Sequence, residues 1–312
     1  MSTFIKVTEV WVPDQSRDHL VLSEGFYGAN QSFEARSRRM LFGPDEGLPG
    51  RAWATGRPVI LKDLFHPLFR RSVIAQAAGL TCGVALPIMA GEYLLAVLVI
   101  FCGEADHQIG AIEVWGDDPR DADRLRLVDG FYGSAASFEA HSRRSQFARG
   151  EGLPGRARAS GMPIVLQDVE DVTRFSRAGA AAAVGIIRGL AIPYSAGPDH
   201  SYVLTLLSSR ETPIARRFEV WVPDESRTRL HFDSGHCESN PEFAADYASA
   251  GISKVGSAIG RVWVTGIPSV RDDIGSDPSI IGQSARSAGL THCVAVPVMH
   301  AGMLSAVAAW YF

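Results

Sequence analysis

The feature that most constrains this chain is that it repeats itself. Glu9-Val10-Trp11 returns as Glu113-Val114-Trp115 and as Glu219-Val220-Trp221. Ser32-Phe33-Glu34-Ala35 returns as Ser137-Phe138-Glu139-Ala140, with Phe243 third in line. Ala85-Leu86-Pro87 matches Ala191-Ile192-Pro193 and Ala295-Val296-Pro297. The spacing stays near about 105 residues, so the 312 residues divide into three copies of one unit, 1–104, 105–209 and 210–312. The first two copies are close. The third has drifted: Phe26-Tyr27-Gly28 and Phe131-Tyr132-Gly133 become Gly235-His236-Cys237. The block Glu46-Gly47-Leu48-Pro49-Gly50-Arg51-Ala52, repeated at 151–157, survives there only as Gly260-Arg261-Val262. The third copy ends level with Cys102 of the first, so the chain is expected to finish flush, without an output module.

Composition narrows the classes. With 46% hydrophobic and 21% charged residues, each copy has material for a core. A net charge of −4 gives no support to nucleic-acid or anionic-membrane binding, both of which favour a basic face. Cys82, Cys102, Cys237 and Cys293 have no paired spacing, which argues against zinc and a disulfide framework. The start lacks the blocks of a signal peptide. The longest apolar runs, residues 94–102 and the alanine-rich stretch up to Ile187, are shorter than the ~20 residues of a membrane helix. A soluble, cytoplasmic protein without membrane association is expected.

Within copy one, residues 7–12 alternate as a strand and a second strand is expected near 20–22. Ser32 reads as the N-cap of a helix running to Met40 and Leu41. A second helix opens at Leu48-Pro49 and stops at Gly56, followed by a short strand at 59–61. A third helix over 70–78 ends at Gly79, and two long strands follow at 82–89 and 93–102. The order β-β-α-α-β-α-β-β makes an α+β fold, each unit a mainly antiparallel sheet covered by short helices.

The block at 46–51, then Thr55-Gly56-Arg57-Pro58, Asp63, Phe69, Arg71, Gly79-Leu80 and Ala85-Leu86-Pro87-Ile88, resembles the GAF domain family. Copy two carries the same series through Gly155-Arg156, Gly161, Pro163, Asp168, Phe175, Arg177, Gly185 and Pro193. The resemblance implies three tandem GAF-like domains and a small-molecule sensor fold, without naming a ligand or cofactor. The family's long flanking helices have no room in the short link around 103–108, so their usual relay is not expected. That link also permits each final strand to hairpin with the next copy's first strand, the third copy's last strand then closing a ring with residues 7–12.

The resemblance implies a cavity between the sheet and its helices. Copy one offers Phe26, Tyr27, Trp53, Phe69, Arg70 and Cys82 as ligand-binding candidates, and copy two offers Phe131, Tyr132, Phe175, Arg177 and Arg188. The aromatics read equally as core. Cys82, Arg188 and His292 stand five residues before the strand proline, where unlike residues fit either solvent exposure or three differently tuned pockets. Arg51, Arg156 and Arg261 with Asp63, Asp168 and Asp273 read as ion pairs within each copy, leaving Arg70, Arg71 and Arg177 as anion candidates. Cys82 and Cys293 are one place out of register and face opposite sides of their strands. His231, His236 and Cys237 match no metal-ligand spacing, and no phosphate loop is present. The cyclic-nucleotide and bilin signatures of the family are also missing.

Three readings follow. The first is a non-enzymatic small-molecule sensor acting through a separate signalling partner. The second is an interaction scaffold with vestigial pockets. The third is a thiol-dependent reductase of the free methionine sulfoxide type, which copy two, without a cysteine, does not favour.

Overall fold

A computed structural model describes residues 3–103, 108–171, 175–195, 201–247, 251–253, 256–300 and 302–312. The short link between copies one and two falls at residues 104–107, outside the described residues. Alternation of branched and aromatic residues makes the strands, and Gly56, Gly161 and Gly266 in left-handed backbone cap one helix in each copy. Copy one runs β1 (Ile5–Pro13), β2 (Leu20–Phe26), α1 (Gln31–Ser37), β3 (Leu41–Phe42) and α2 (Gly47–Thr55). It continues through β4 (Val59–Leu61), α3 (Ser72–Ala77), β5 (Leu80–Ala90) and β6 (Tyr93–Gly103). Copy two repeats the order as β7 (Ile109–Asp118), β8 (Asp121–Gly133), α4 (Ala136–Ser142), β9 (Gln146–Ala148), α5 (Gly152–Ser160), β10 (Ile164–Leu166), α6 (Ala178–Ala182), β11 (Ile186–Ser195) and β12 (Ser201–Ser209). Copy three has β13 (Arg217–Pro223), β14 (Leu230–Cys237), α7 (Ala244–Tyr247), α8 (Ala258–Thr265), β15 (Ser269–Arg271), α9 (Ile280–Ser287), β16 (Cys293–His300) and β17 (Met303–Tyr311).

Each copy forms its own antiparallel sheet. The strand orders are β3-β2-β1-β6-β5-β4, β9-β8-β7-β12-β11-β10 and β14-β13-β17-β16-β15. The first strand of every copy therefore pairs with the last strand of the same copy, β1 with β6, β7 with β12 and β13 with β17. The expected exchange of strands between copies does not occur. All three hairpins carry a register shift at the same place, between Val10 and Trp11, Val114 and Trp115, and Val220 and Trp221. Such bulges tighten the twist and re-aim the side chains beside them.

Two local expectations are corrected. Helix α1 begins at Gln31 after Asn30, with no side-chain cap, so Ser32 is not its N-cap. It stops at Ser37, and Leu41 sits in the short strand β3, 53% exposed. The glycine stops hold: Gly56 and Gly79 lie at φ 61° and 65°, a region that costs glycine no Cβ clash.

Strand alternation divides each copy between two cores. In β1, Val7 and Trp11 face the helices and join Phe33, Leu48, Phe69 and Phe101 in a core belonging to copy one alone. Val10, between them, faces the other way and packs with Val84, Leu86, Leu98 and Ile100 in a core shared by all three copies. Ile112, Val114, Leu190 and Leu204 of copy two, and Val220, Val294, Val296 and Trp310 of copy three, complete it. A sheet covered on both faces reads as a continuous apolar run. This accounts for residues 94–102, where every residue but Leu95 is buried.

The copies close into a ring at three matching seams. Strand β4 packs on β8, β10 on β13 and β14, and β15 on β1 and β2. Lys62 pairs with Asp129 at 2.8 Å, and Gln167 Nε2 donates to the Gly235 carbonyl at 2.8 Å. Glu24 accepts from Ser269 Oγ at 3.0 Å and the Val270 amide at 2.7 Å, and pairs with Arg261 at 2.5 Å. The third seam joins the two ends of the repeat.

Candidate functional site

The family resemblance places a ligand between each sheet and its helices, so the side chains there decide what that space can do. In copy one its centre is Glu9, fully buried in the middle of β1. Strand alternation sends Glu9 to the same face as Trp11, whose Nε1 donates to Oε2 at 2.9 Å. Tyr27 Oη donates to Oε1 at 3.0 Å. Arg71, at the N-cap of α3, reaches down with Nη1 to Oε1 at 2.6 Å and Nη2 to Oε2 at 3.0 Å, and Nη1 also bonds Ser37 Oγ. The guanidinium lies 4.6 Å from the Phe33 ring centroid, 5.4 Å from Phe69 and 5.3 Å from Phe101. Copy two repeats the cluster. Glu113 accepts from Arg177 at 2.5 and 2.8 Å, Trp115 at 3.0 Å, Tyr132 at 3.0 Å and Thr205 at 2.8 Å.

Copy three rebuilds it from other positions. The N-cap of α9 is Ser279, so no arginine comes from that corner. Arg217 instead stands on β13, two residues before Glu219, and reaches Oε1 at 3.3 Å. Tyr247 from α7 donates to Oε1 at 3.0 Å, Tyr311 from β17 to Oε2 at 2.5 Å, and Trp221 to Oε2 at 2.9 Å. The register makes Arg217 the counterpart of Val7 and Ala111, so the cation has moved while the buried pair has stayed.

Burial alone pushes the Glu9 and Glu113 carboxyls upward. The adjacent Arg71 and Arg177 guanidiniums outweigh it, and both pKa values lie below the ordinary carboxylate value. Both carboxylates are therefore ionised and satisfied from within. Burial, followed by the carboxylate charge, drives the pKa of Tyr27 and Tyr132 upward, keeping them as neutral donors. Every copy thus carries a buried glutamate–arginine ion pair: Glu9 with Arg71, Glu113 with Arg177, and Glu219 with Arg217.

The candidate residues do not converge on one pocket. Tyr27, Phe69, Tyr132, Phe175 and Arg177 lie in the helix-side clusters and are buried. Trp53 packs at their edge, half-buried. Arg70 points outward and pairs with Glu46. The remaining four face the ring. Cys82 is fully buried in the shared core, opposite Cys102 across β5 and β6. Phe131 is in the same core, its ring 5.6 Å from Phe4. Phe26 stacks on Phe312 at 5.3 Å and meets His292 at 4.3 Å, both in copy three. Arg188 pairs with Glu238 of copy three at 3.2 Å.

The strand-mouth position thus has a third meaning beside solvent and pocket: it faces the next copy. His292 meets Phe26, and Arg188 bears on His236, which the register aligns with Phe26 and Phe131. Burial first, then the Arg188 charge, pulls the His236 pKa down to about 4. The expected pairing of Arg51 with Asp63 gives way to Arg51 with Asp45, and Arg261 pairs across the seam with Glu24. Asp63 and Asp168 instead accept the amides of Phe65 and Glu170 at 2.8 Å, tying their own loops. Cys293 belongs to the helix-side core of copy three, on the opposite sheet face from Cys82. Among the described residues no group of three or more His, Cys, Asp or Glu side chains is placed to hold a metal. No described helix is long and apolar enough to cross a membrane.

Residues 8–114 match the model of the GAF domain family. The match lies on the first copy, and the other two copies repeat that copy's sheet order. Among solved structures it is similar to the GAF domain of a phosphoenolpyruvate-protein phosphotransferase from Acinetobacter, at 17% identity over 32% of this chain and 55% of that one, TM-score 0.25. It is similar to the nlh2 GAF domain of A. aeolicus in an inactive state, at 16% identity over 32% and 58%, TM-score 0.26. It is also similar to the reduced form of fRMsr from Staphylococcus aureus, at 17% identity over 32% and 56%, TM-score 0.25. The matched region spans little more than half the length of each of these chains. No curated protein matches the chain. The general role attached to GAF domains is small-molecule binding and sensing.

Proposed function

We propose that the chain is a non-enzymatic binding protein of the GAF class in which the three helix-side cavities have been closed, so that the fused units serve as a scaffold for a separate protein partner. One observation carries this reading. Each cavity holds a buried glutamate–arginine pair with its hydrogen-bond donors, and copy three regains it with an arginine from a different strand. A ligand entering there would have to displace an internal ion pair, bidentate in copies one and two, leaving a buried charge uncompensated.

The cysteines support a non-catalytic role. Burial raises the thiol pKa of Cys82, Cys102 and Cys293, the reverse of what a reactive thiolate needs. A thermal-shift panel of nucleotides, amino acids, organic acids, haem and bilins tests the reading. A flat response is expected. A ligand at 100 times its dissociation constant adds ~2.7 kcal/mol, so an upward shift would be plain, and its loss in Arg71→Met or Arg177→Met would restore the sensor reading for that copy.

A further inference from the structure

The ring-closing seam, where copy three meets copy one, carries a groove of about 300 Å³, at the lower end of the range for ligand sites. Copy one lines it with Val12, Leu94 and Leu95, with Arg17 from the turn between β1 and β2, and with Ser23 of β2. Copy three adds Ile267, with Arg261 and Thr265 from α8. Arg17, Ser23, Arg261 and Thr265 are exposed, so the groove opens to solvent. None of its residues takes part in a glutamate–arginine pair of the helix-side cores.

The charges of this groove do not cancel. Arg261 pairs with Glu24 at 2.5 Å, and Glu24 is held in turn by Ser269 and the Val270 amide. Arg17 has no acidic partner among the described residues. Its Nη2 donates to the Leu94 carbonyl at 2.9 Å, which sets the guanidinium against the groove wall. Arg227 makes the same bond to the Leu304 carbonyl at 2.8 Å in copy three, so that contact serves the turn. The bulge residue differs between the two copies. The register shift skips Ser23 in copy one and Asp233 in copy three, so copy three sets a carboxylate where copy one has a neutral hydroxyl. Copy one thus presents an uncompensated guanidinium beside the half-buried Val12, Leu95 and Ile267.

We propose that this groove receives a short extended segment of the protein partner, an acidic side chain meeting Arg17 and an apolar side chain resting on Leu95 and Ile267. The proposal rests on the scaffold reading and supplies the chemistry of its partner. The planar fork of an arginine matches a carboxylate, and the aliphatic wall gives the second anchor. Two residues between the anchors put both on one side of an extended chain. A groove open along its length admits a passing chain, whereas small ligands are enclosed over most of their surface. Because its walls come from copies one and three, the groove exists only in the closed ring.

The full chain, labelled with 13C at its isoleucine and leucine methyls, is titrated with acetyl-Leu-Gly-Asp-amide and with its neutral isostere acetyl-Leu-Gly-Asn-amide. The acidic peptide is expected to shift the Leu95 and Ile267 signals saturably while Leu190 in the shared core stays in place. The neutral peptide is expected to bind about tenfold more weakly, the scale of a hydrogen bond to a charged group. Ser23→Asp, which installs the acid of copy three and spares the bond from Arg17 to Leu94, is expected to erase that difference, as is Arg17→Gln. No saturable response to the acidic peptide, or equal affinity for the two peptides, would overturn the proposal. A difference that survives both variants would overturn the role of Arg17. Equal affinity for 4-methylpentanoate, a carboxylate on the same apolar group without a peptide backbone, would assign the groove to a small organic acid and overturn the partner segment. The scaffold reading fails separately, through a thermal shift that depends on Arg71 or Arg177, neither of which lines the groove.

Discussion

Arg71 and its counterparts concentrate a strong local dependence in single side chains. A buried ion pair contributes little net stability compared with an apolar pair, but removing one partner strands the other and costs about 3–5 kcal/mol. Arg71→Ser is therefore expected to lower the unfolding free energy by about that amount in urea titrations. Copy three supplies a sharper test, because its cation comes from the position of Val7. The double variant Val7→Arg with Arg71→Ser is expected to recover part of the loss. A double variant no more stable than Arg71→Ser would show that the relocated arginine of copy three is tied to Tyr247 and Ser284 instead. Glu9-Val10-Trp11 was visible as a repeated anchor, and its glutamate was the one signal pointing to the cluster: a charge at strand period 2 among apolar neighbours, three times over. Its partner was not legible. Arg71 comes from 62 residues away, and nothing local distinguishes it from the neighbouring Arg70, which turns to solvent.

At the level of elements, the Gly-Leu-Pro-Gly-Arg block shows why some repeats persist. A Cβ on Gly50 would stand 2.1 Å from the Gly43 carbonyl, and one on Gly155 would stand 2.1 Å from the Ala148 carbonyl. The helix docks so closely on the preceding loop that only glycine fits. Gly155→Ala is expected to destabilise the protein by about 1–3 kcal/mol, the usual cost of forcing atoms into a packed site, measurable as a lower urea midpoint at unchanged slope. A loss below 0.5 kcal/mol would mean that the loop yields. The helices, strands and glycine stops were readable because each rests on short-range chemistry. The strand β3 was not, since two residues joined to an edge carry no periodicity, and Met40-Leu41 mimicked a continuing helical stripe.

For the molecule as a whole, each sheet needs the other two copies. Residues 82, 84, 86, 98 and 100 would meet water if copy one stood alone, an apolar face of the kind that drives association. A fragment of residues 1–104 is expected to self-associate or precipitate on size exclusion, and to elute as one complex when co-expressed with residues 105–312. A stable, monodisperse monomer of 1–104 would contradict the shared core. The sequence showed three units but not their ring, because a side chain facing another copy looks the same as one facing its own. Cys82, Arg188 and His292 were assigned to solvent or pocket for that reason, and Arg188 and His292 lie at seams.

Joining three like domains in one polypeptide releases them from identity. Separate identical subunits around an axis must present the same group three times, so a tyrosine at one strand position would bring two more with it. Here Ile88, Tyr194 and Val298 stand at one register position of three like strands, and each copy carries its own residue there. Covalent linkage thus lets a symmetric framework carry a lopsided centre.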